Sequence, residues 1–243
     1  MNSRICLLFF FLLPLLFFGC KEDETIVGIV DFEVDYVVDN DSLEFDVIRY
    51  VNEAGNGYGV SRLEYYISDI TFLKSDAVKF QSSYIHYANA RVSSTNSFSL
   101  PAIPEGDYDC IELTIGLNPE DNSSNSLPNT TENINMAWPD VMGGGYHFMK
   151  FEGHFIDSAS ATAGFAMHLG ENGNAIKVKI SGLSISVRKE QAVSIRLKMN
   201  LNEWSRDPST FDFNIDGNYS MGVMTAMQKL AANGTDVFTA TVE

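Results

Sequence analysis

Histidines and methionines give this 243-residue chain its clearest capacity for chemistry, because both side chains can bind metal ions. Imidazole nitrogen suits copper, zinc and iron, whereas thioether sulfur selects Cu(I). Two of the four histidines, His147 and His154, lie in residues 135–155 together with a tryptophan and three methionines; the others are His86 and His168. The histidines lack the short spacings that place two ligands on one element, so any site must combine separate strands.

The same segment has three consecutive glycines at its centre, between Trp138 and a strand-like stretch. Glycine accepts positive φ and lets other groups approach the backbone closely, so residues 143–145 predict a pliant turn. Residues 146–155 then alternate between two faces, with His147 on the more apolar face. Such a turn between a tryptophan and an inward-pointing histidine predicts a pocket for a ligand or a metal. The alternative is that Trp138 only fills space before the proline that follows it.

Strands are the elements that must position these side chains. Residues 30–36 alternate apolar with acidic side chains, and strand-like runs separated by turns recur at intervals of about 8 to 12 residues. Residues 43–51 and 79–90 each indicate one strand, and a polar loop at 119–135 leads towards the tryptophan. The sequence therefore predicts an all-β fold, an antiparallel β-sandwich with long loops and one C-terminal helix.

The C-terminal helix is predicted to begin at Ser220 and to end at Gly234. Three methionines repeat at helical spacing within it: Met221, Met224 and Met227. A methionine stripe could supply soft metal ligands, but at this spacing it more often packs into a core. We therefore assign these methionines to packing.

The chain divides into a short leader and one domain. No linker rich in proline or serine interrupts residues 27–243, which are predicted to form a single domain. Residues 1–19 carry Arg4 and then an apolar run too short to span a bilayer comfortably, as is typical of a signal peptide. The small residue before Cys20 resembles a bacterial lipobox, which makes Cys20 the expected lipidation site. Residues 20–26 then form a charged tether.

The residues after Cys20 also bear on location. A lysine followed by acids at this point resembles the surface-export signal of Bacteroidetes-type lipoproteins. We expect an outer membrane lipoprotein, on the periplasmic face or at the cell surface, which contacts the membrane through its lipid anchor. A plain signal peptide followed by a chance cysteine is the alternative.

The charge of the chain excludes one class of partner. The formal net charge is −16, and loss of Arg4 with the signal peptide makes it −17, from 15 basic and 32 acidic residues. Such a surface repels phosphate backbones, so we expect no nucleic acid partner. After lipidation of Cys20, the mature chain keeps only Cys110, which cannot form an internal disulfide and is expected to be buried and inert.

The sequence gives little support to an enzyme. The motifs GxSxG and HExxH are absent, as is a phosphate-binding glycine loop before a helix. Glu152 and Glu171 could be arranged as glycosidase carboxylates, but any acidic chain offers such pairs. We therefore predict a binding protein and no catalytic residues.

Several motifs occur together in an order that is typical of one known family. They are YVN at 50–52, LEYYISDITF at 63–72, IPEGDY at 103–108, IGLN at 115–118, MAWPD at 136–140, GGGY at 143–146, KFEG at 150–153 and MHLG at 167–170. In this order they resemble the MbnP-like domain family, periplasmic and surface proteins associated with copper uptake. The resemblance spans most of residues 27–243.

This resemblance implies a copper site. In copper-binding members the ligands include histidines and a tryptophan oxidised to kynurenine, whose aniline nitrogen can coordinate. Trp138 matches the oxidised position, and His168 matches the histidine of the HLG motif. Where many members have a second aromatic residue two positions after the first tryptophan, this chain has Asp140. His147 directly follows GGGY but is not matched to a ligand of the family. Our own expectation is that Trp138 lies within reach of His168 and His147, with Asp140 as an acid that could balance the charge of a copper ion.

The resemblance also implies partners. The oxidation of the tryptophan is attributed to a dihaem cytochrome of the peroxidase class, and a TonB-type transporter would accompany metal handling. A different function remains open: a surface lipoprotein that binds a glycan or a protein partner through the loop at 119–135, without a metal.

Overall fold

A computed structural model describes residues 26–243, which form two β-sheets around a shared apolar core. The predicted all-β sandwich with a C-terminal helix is confirmed. The predicted signal peptide at 1–19 and the predicted lipidation site Cys20 lie outside the described residues, as does most of the tether at 20–26.

The described part of the chain contains thirteen strands and two α-helices, joined by turns and loops. The strands are β1 (Val27–Val38), β2 (Asp41–Ser42), β3 (Tyr50–Val51), β4 (Gly57–Lys74), β5 (Ala77–Gln81), β6 (His86–Asn89), β7 (Ser97–Pro104), β8 (Gly106–Ile115), β9 (His147–Ile156), β10 (Thr162–Gly170), β11 (Ile176–Val187), β12 (Ala192–Asn200) and β13 (Phe238–Val242). The helices are α1 (Thr131–Asn135) and α2 (Met224–Asn233).

The first sheet has the strand order β13-β12-β1-β2, and β7 also pairs with β1. In the central strand β1, the side chains of Val30, Phe32 and Val34 point into the core. Acidic residues alternate with them, as the period of two in a strand predicts. Strands β1 and β12 run parallel, which differs from the expected antiparallel pairing. Alternation indicates which face of a sheet a side chain occupies, but it does not indicate strand direction. The chain between β1 and β12 builds the whole second sheet before it returns to the first sheet, so the two strands can run parallel.

The second sheet contains β9, the strand that covers the last part of residues 135–155. Its order is β10-β9-β4-β8-β11, with β3, β5 and β6 also paired to β4. Strand β4 is buried along most of its 18 residues and forms the spine of the sheet. Strands β9 and β10 lie antiparallel at one edge, and they carry His147 and His168 respectively.

Two predicted strands are interrupted in the structure. Of residues 43–51, only Tyr50–Val51 form a strand, because Asp46 has a φ of 66° that breaks the extended backbone. Residues 79–90 divide into β5 and β6, which pair with two separate stretches of β4.

The C-terminal helix begins later than predicted. Gly222 has a φ of 75°, so Ser220 precedes a turn and α2 begins at Met224. Within the stripe, Met227 is buried, whereas Met224 is 42% exposed, so the packing role assigned to the methionines holds only in part. In residues 26–243, neither helix nor any other helical segment has the length and apolar character that a membrane span requires.

Candidate metal centre

Trp138 is brought onto His147 by a short backbone pairing across the glycine turn. The backbone N–H of His147 donates to the carbonyl of Met136 at 2.6 Å, and that of Trp138 donates to the carbonyl of Gly145 at 2.9 Å. The two ring centres lie 4.7 Å apart with their planes at 64°. Trp138 is 2% exposed and His147 is 5% exposed, so this contact lies inside the protein.

The glycine turn has the predicted conformation. The φ angles at residues 143–145 are 107°, 70° and 86°, in the region that side chains with a Cβ atom rarely adopt. A Cβ atom on Gly145 would lie 2.4 Å from Oδ1 of Asn122, which accepts the N–H of Tyr146 at 2.8 Å. The polar loop at 119–135 is therefore anchored against the turn, and only glycine permits this close approach.

His168 reaches the same place from β10. Its ring centre lies 5.0 Å from that of His147, with the planes at 85°. The hydroxyl of Ser220 accepts the backbone N–H of His168 at 2.6 Å and donates to the carbonyl of His168 at 2.7 Å. Because Ser220 is fully buried, the segment before α2 fixes this part of β10 at the edge of the sheet.

A register shift between β9 and β10 places the two histidines on the same face. His168 pairs with Lys150, but Gly170, two residues further along β10, pairs with His147, three residues back along β9. One residue of β9 is therefore extra, as in a β-bulge. Strict alternation would put His147 on the face opposite to Lys150, and the extra residue turns it towards His168.

Each of the two imidazoles keeps one nitrogen unpaired. His147 Nδ1 donates to the carbonyl of Met136 at 3.1 Å, and His168 Nε2 donates to Oε1 of Glu152 at 2.8 Å. A carbonyl and an ionised carboxylate only accept hydrogen bonds, so these nitrogens carry the protons, and in the neutral form of each ring the other nitrogen carries a lone pair. Those others, His147 Nε2 and His168 Nδ1, are buried and have no hydrogen-bond partner among residues 26–243. Histidines that bind metals commonly donate their other N–H to a carbonyl or a carboxylate, so the pair fits a metal ion.

Electrostatics favour the neutral form of His147. Burial, followed by the nearby ammonium of Lys150, lowers the pKa of His147 to about 3. The hydrogen bond from His168 is the main cause that lowers the pKa of Glu152 to about 2, against the opposing effect of burial. A neutral imidazole is the form that coordinates a metal, so His147 needs to lose no proton before it binds one.

The depressed pKa of His147 predicts that the metal-free protein loses stability in acid. An unfolded histidine titrates near pH 6.5, whereas folded His147 titrates near 3, so between these values the unfolded state binds more protons and stability falls as pH falls. The expected cost at pH 5 relative to pH 8 is about 2 kcal/mol from this group. Urea unfolding at both values should show that His147→Gln removes this difference and that exposed His154→Gln does not. An equal acid loss in the parent and in His147→Gln would contradict the prediction.

Trp138 packs tightly beside the histidines. Its indole N–H donates to the carbonyl of Met142 at 3.2 Å, and a Cβ atom on Gly170 would lie 2.5 Å from the indole ring. The nitrogen of an intact indole is a donor without a free lone pair, so Trp138 is not a metal ligand in this form.

The other predicted or candidate ligands lie apart from this pair. Asp140 is exposed, and its Oδ1 accepts the hydroxyl of Ser124 at 2.7 Å; among the described residues it has no hydrogen bond or ion pair with either histidine. His86 Nε2 is hydrogen-bonded to the carbonyl of Thr95 at 2.7 Å, and His154 is exposed. Residues 26–243 contain no group of three or more His, Cys, Asp or Glu arranged to hold a metal ion. The structure thus brings together Trp138, His147 and His168, while Asp140 lies to one side.

Two neighbours of His168 were not predicted from the sequence. Glu152 lies two positions after Lys150, the residue that pairs with His168, so the strand register is the signal that would have revealed it. The sequence predicts a helix start at Ser220, and nothing in its local sequence indicates a contact with β10.

Comparison with known proteins identifies the family and supports the fold. The family model described as MbnP matches residues 27–225. Among solved structures, MbnP from Methylosinus trichosporium matches with a TM-score of 0.56 and 12% sequence identity, over 89% of this chain and 99% of that one. At 12% identity, this similarity shows a shared fold. The comparison with curated proteins found no match. Because the family model covers most of the sequence, the chain belongs to the MbnP family, which is associated with copper.

Proposed function

We propose that this protein binds one copper ion between His147 Nε2 and His168 Nδ1. The observation that carries the proposal is a pair of neighbouring imidazole rings, each with one buried nitrogen that has no hydrogen-bond partner in residues 26–243. Buried polar atoms are rarely left unpaired without a reason. Neutral imidazole is a good ligand for copper, and membership of the MbnP family favours copper over the other metals that imidazole binds.

The spacing of the rings limits how they can hold an ion. With metal–nitrogen bonds of about 2 Å, two imidazoles on opposite sides of one ion would have ring centres about 6 Å apart. The ring centres of His147 and His168 are 5.0 Å apart, so this pair suits a bent arrangement.

After oxidation to kynurenine, Trp138 would supply a further ligand beside the two histidines. Cleavage of the C2–C3 bond of the indole adds two oxygen atoms, and hydrolysis then releases formate and leaves an aniline nitrogen with a free lone pair. Two equivalents of hydrogen peroxide, used by a partner dihaem cytochrome of the peroxidase class, balance the oxidation. What this chain contributes is position, because the ring of Trp138 already lies 4.7 Å from that of His147.

The cellular setting of the proposal follows from the leader sequence. The protein is exported, acylated at Cys20 and held at the outer membrane, on the periplasmic face or at the cell surface. There it binds copper without catalysing a reaction of its own, and a TonB-type transporter is the partner that would take up the metal.

A competition titration tests this function. Cu(I) added to the purified mature protein, in competition with a chromogenic chelator, is expected to bind at one ion per chain, and Zn(II) is expected to bind more weakly. Mass spectrometry of the peptide that contains Trp138 should show the gain of one oxygen and the loss of one carbon when the partner peroxidase is present. A Kd for Cu(I) weaker than about 1 μM in the oxidised protein would overturn the proposal.

A specific cavity supports the second candidate function. A space of about 610 Å³ lies between the polar loop and the turn that carries Trp138, and its lining includes Ser124, Asn129, Asp140 and Tyr146. This volume is in the range of small-ligand pockets, and amide and hydroxyl groups suit a neutral glycan. Binding of soluble oligosaccharides that Asn129→Ala abolishes, in a protein that binds no copper, would favour this function.

A further inference from the structure

The carboxylate that holds His168 is itself held by an arginine on the next strand. The register of β4 and β9 places Arg62 opposite Glu152, and a guanidinium N–H of Arg62 donates to Oε1 of Glu152 at 3.1 Å. The same oxygen accepts the Nε2–H of His168 at 2.8 Å. One carboxylate oxygen therefore links three adjacent strands of the second sheet, β4, β9 and β10.

This line of contacts runs from the surface towards the interior. The exposed fraction of the side chain is 46% for Arg62, 25% for Glu152 and 13% for His168. Water competes least at the buried end, so the hydrogen bond to the ring is the most protected contact in the line.

We propose that Glu152, anchored by Arg62, is a positioning residue that fixes the tautomer and the rotation of His168, and so keeps a lone pair on its buried Nδ1 beside the ring of His147. Without an acceptor at Nε2, the single proton of the neutral ring can occupy either nitrogen. A proton on Nδ1 removes the lone pair of that nitrogen. A ring without this hydrogen bond can also turn away from His147. The inference holds for the metal-free protein, and only its extension to copper affinity rests on the proposed function.

Glu64 provides a matched comparison within the same sheet. Its Oε1 lies 3.6 Å from Nε of Arg62, and its side chain is 12% exposed. It accepts a hydrogen bond from the amide of Asn89 at 3.2 Å and has no hydrogen bond to a histidine among the described residues. Removal of either carboxylate removes one ion-pair partner of Arg62. Only removal of Glu152 also leaves Nε2 of His168 without its hydrogen-bond acceptor.

Nitrogen NMR of the metal-free protein tests the positioning role directly. With 15N-labelled histidine at pH 8, long-range 1H–15N correlations of the parent should show His168 protonated on Nε2 alone. Glu152→Ala should give a mixture of tautomers, whereas Glu152→Gln, whose amide oxygen still accepts, and Glu64→Ala should keep the parent pattern. Thermal unfolding establishes that each variant is folded. A folded Glu152→Ala protein that keeps the single parent tautomer overturns the proposal.

Arg62→Met gives a second test that leaves the carboxylate in place. Loss of the anchor should broaden or mix the His168 signals while Glu152 remains, and this test of the anchoring does not depend on whether Glu152→Ala folds. An unchanged His168 spectrum in Arg62→Met would overturn the anchoring part of the proposal.

Copper affinity provides an independent readout. The Kd for Cu(I) should rise by about 10- to 100-fold in Glu152→Ala, less in Glu152→Gln, and not at all in Glu64→Ala. If the parent binds no copper, the proposed function fails and the tautomer result still decides the positioning role. If the parent binds copper and Glu152→Ala binds it equally well, the extension of the positioning role to copper affinity fails and the proposed function stands.

Discussion

Replacing His168 with alanine is expected to weaken copper binding by about 100- to 1,000-fold. Structural metal sites with four ligands release about 10–16 kcal/mol, so one ligand accounts for about 3 kcal/mol, which corresponds to this range of Kd. His168 is the better of the two histidines to test first. Its Nε2 is already occupied by Glu152, so removal of the ring takes away the one unpaired nitrogen and disturbs no backbone contact of the glycine turn.

The backbone of β10 is expected to keep its position in His168→Ala. The hydroxyl of Ser220 binds the backbone N–H and carbonyl of residue 168 and not its side chain, so β10 should keep its edge contact in His168→Ala. Competition with a Cu(I) chelator measures the affinity, and urea unfolding reports whether stability is kept.

His154→Ala is the matched control for this experiment. It removes a histidine from the same sheet, but His154 is exposed and lies on β9 away from the pair. The affinity for copper should stay within about twofold of the parent, since surface substitutions of this kind rarely change the interior. Equal affinity in His168→Ala and His154→Ala would remove His168 from the set of ligands.

The fold was largely accessible from the sequence because its signals are local. Alternation in β1 and the apolar character of β4 indicate strands, and the three glycines indicate a turn with positive φ. What local patterns do not contain is the pairing between strands. The parallel contact of β1 with β12 joins residues more than 150 positions apart, and no period in either strand encodes it.

In the candidate site too, the sequence predicts local contacts but not contacts that depend on strand pairing. Trp138 and His147 lie nine residues apart on either side of the glycine turn, so their meeting could be predicted from the turn alone. The approach of His168 depends on the register shift between β9 and β10, which reverses the face that strict alternation assigns to His147. Nearness in sequence predicts that Asp140 lies in the site, but the turn exposes it to solvent and the hydroxyl of Ser124 donates to its carboxylate.

Trp138→Ala is expected to lower the free energy of unfolding by about 3–5 kcal/mol, the range for a large aromatic removed from a core. The indole is 2% exposed, its ring packs on Gly170 and His147, and its N–H satisfies the carbonyl of Met142. Alanine would leave a cavity beside both histidines and an unpaired carbonyl at the turn. Urea unfolding of the metal-free protein measures the loss, and a change below about 1 kcal/mol would contradict tight packing at this position.

Trp138→Phe separates packing from chemistry at the same position. Phenylalanine refills most of the space, so the loss of stability should fall to about 1–2 kcal/mol, but the ring cannot be converted to kynurenine. If the oxidised side chain is a ligand, the folded Trp138→Phe protein should bind copper as weakly as parent protein produced without the peroxidase. Trp204→Phe is the control, because Trp204 is also buried, at 1% exposure, but packs beside Gly234 near α2. Equal copper affinity in oxidised parent and in Trp138→Phe would mean that the two histidines hold the metal without this side chain.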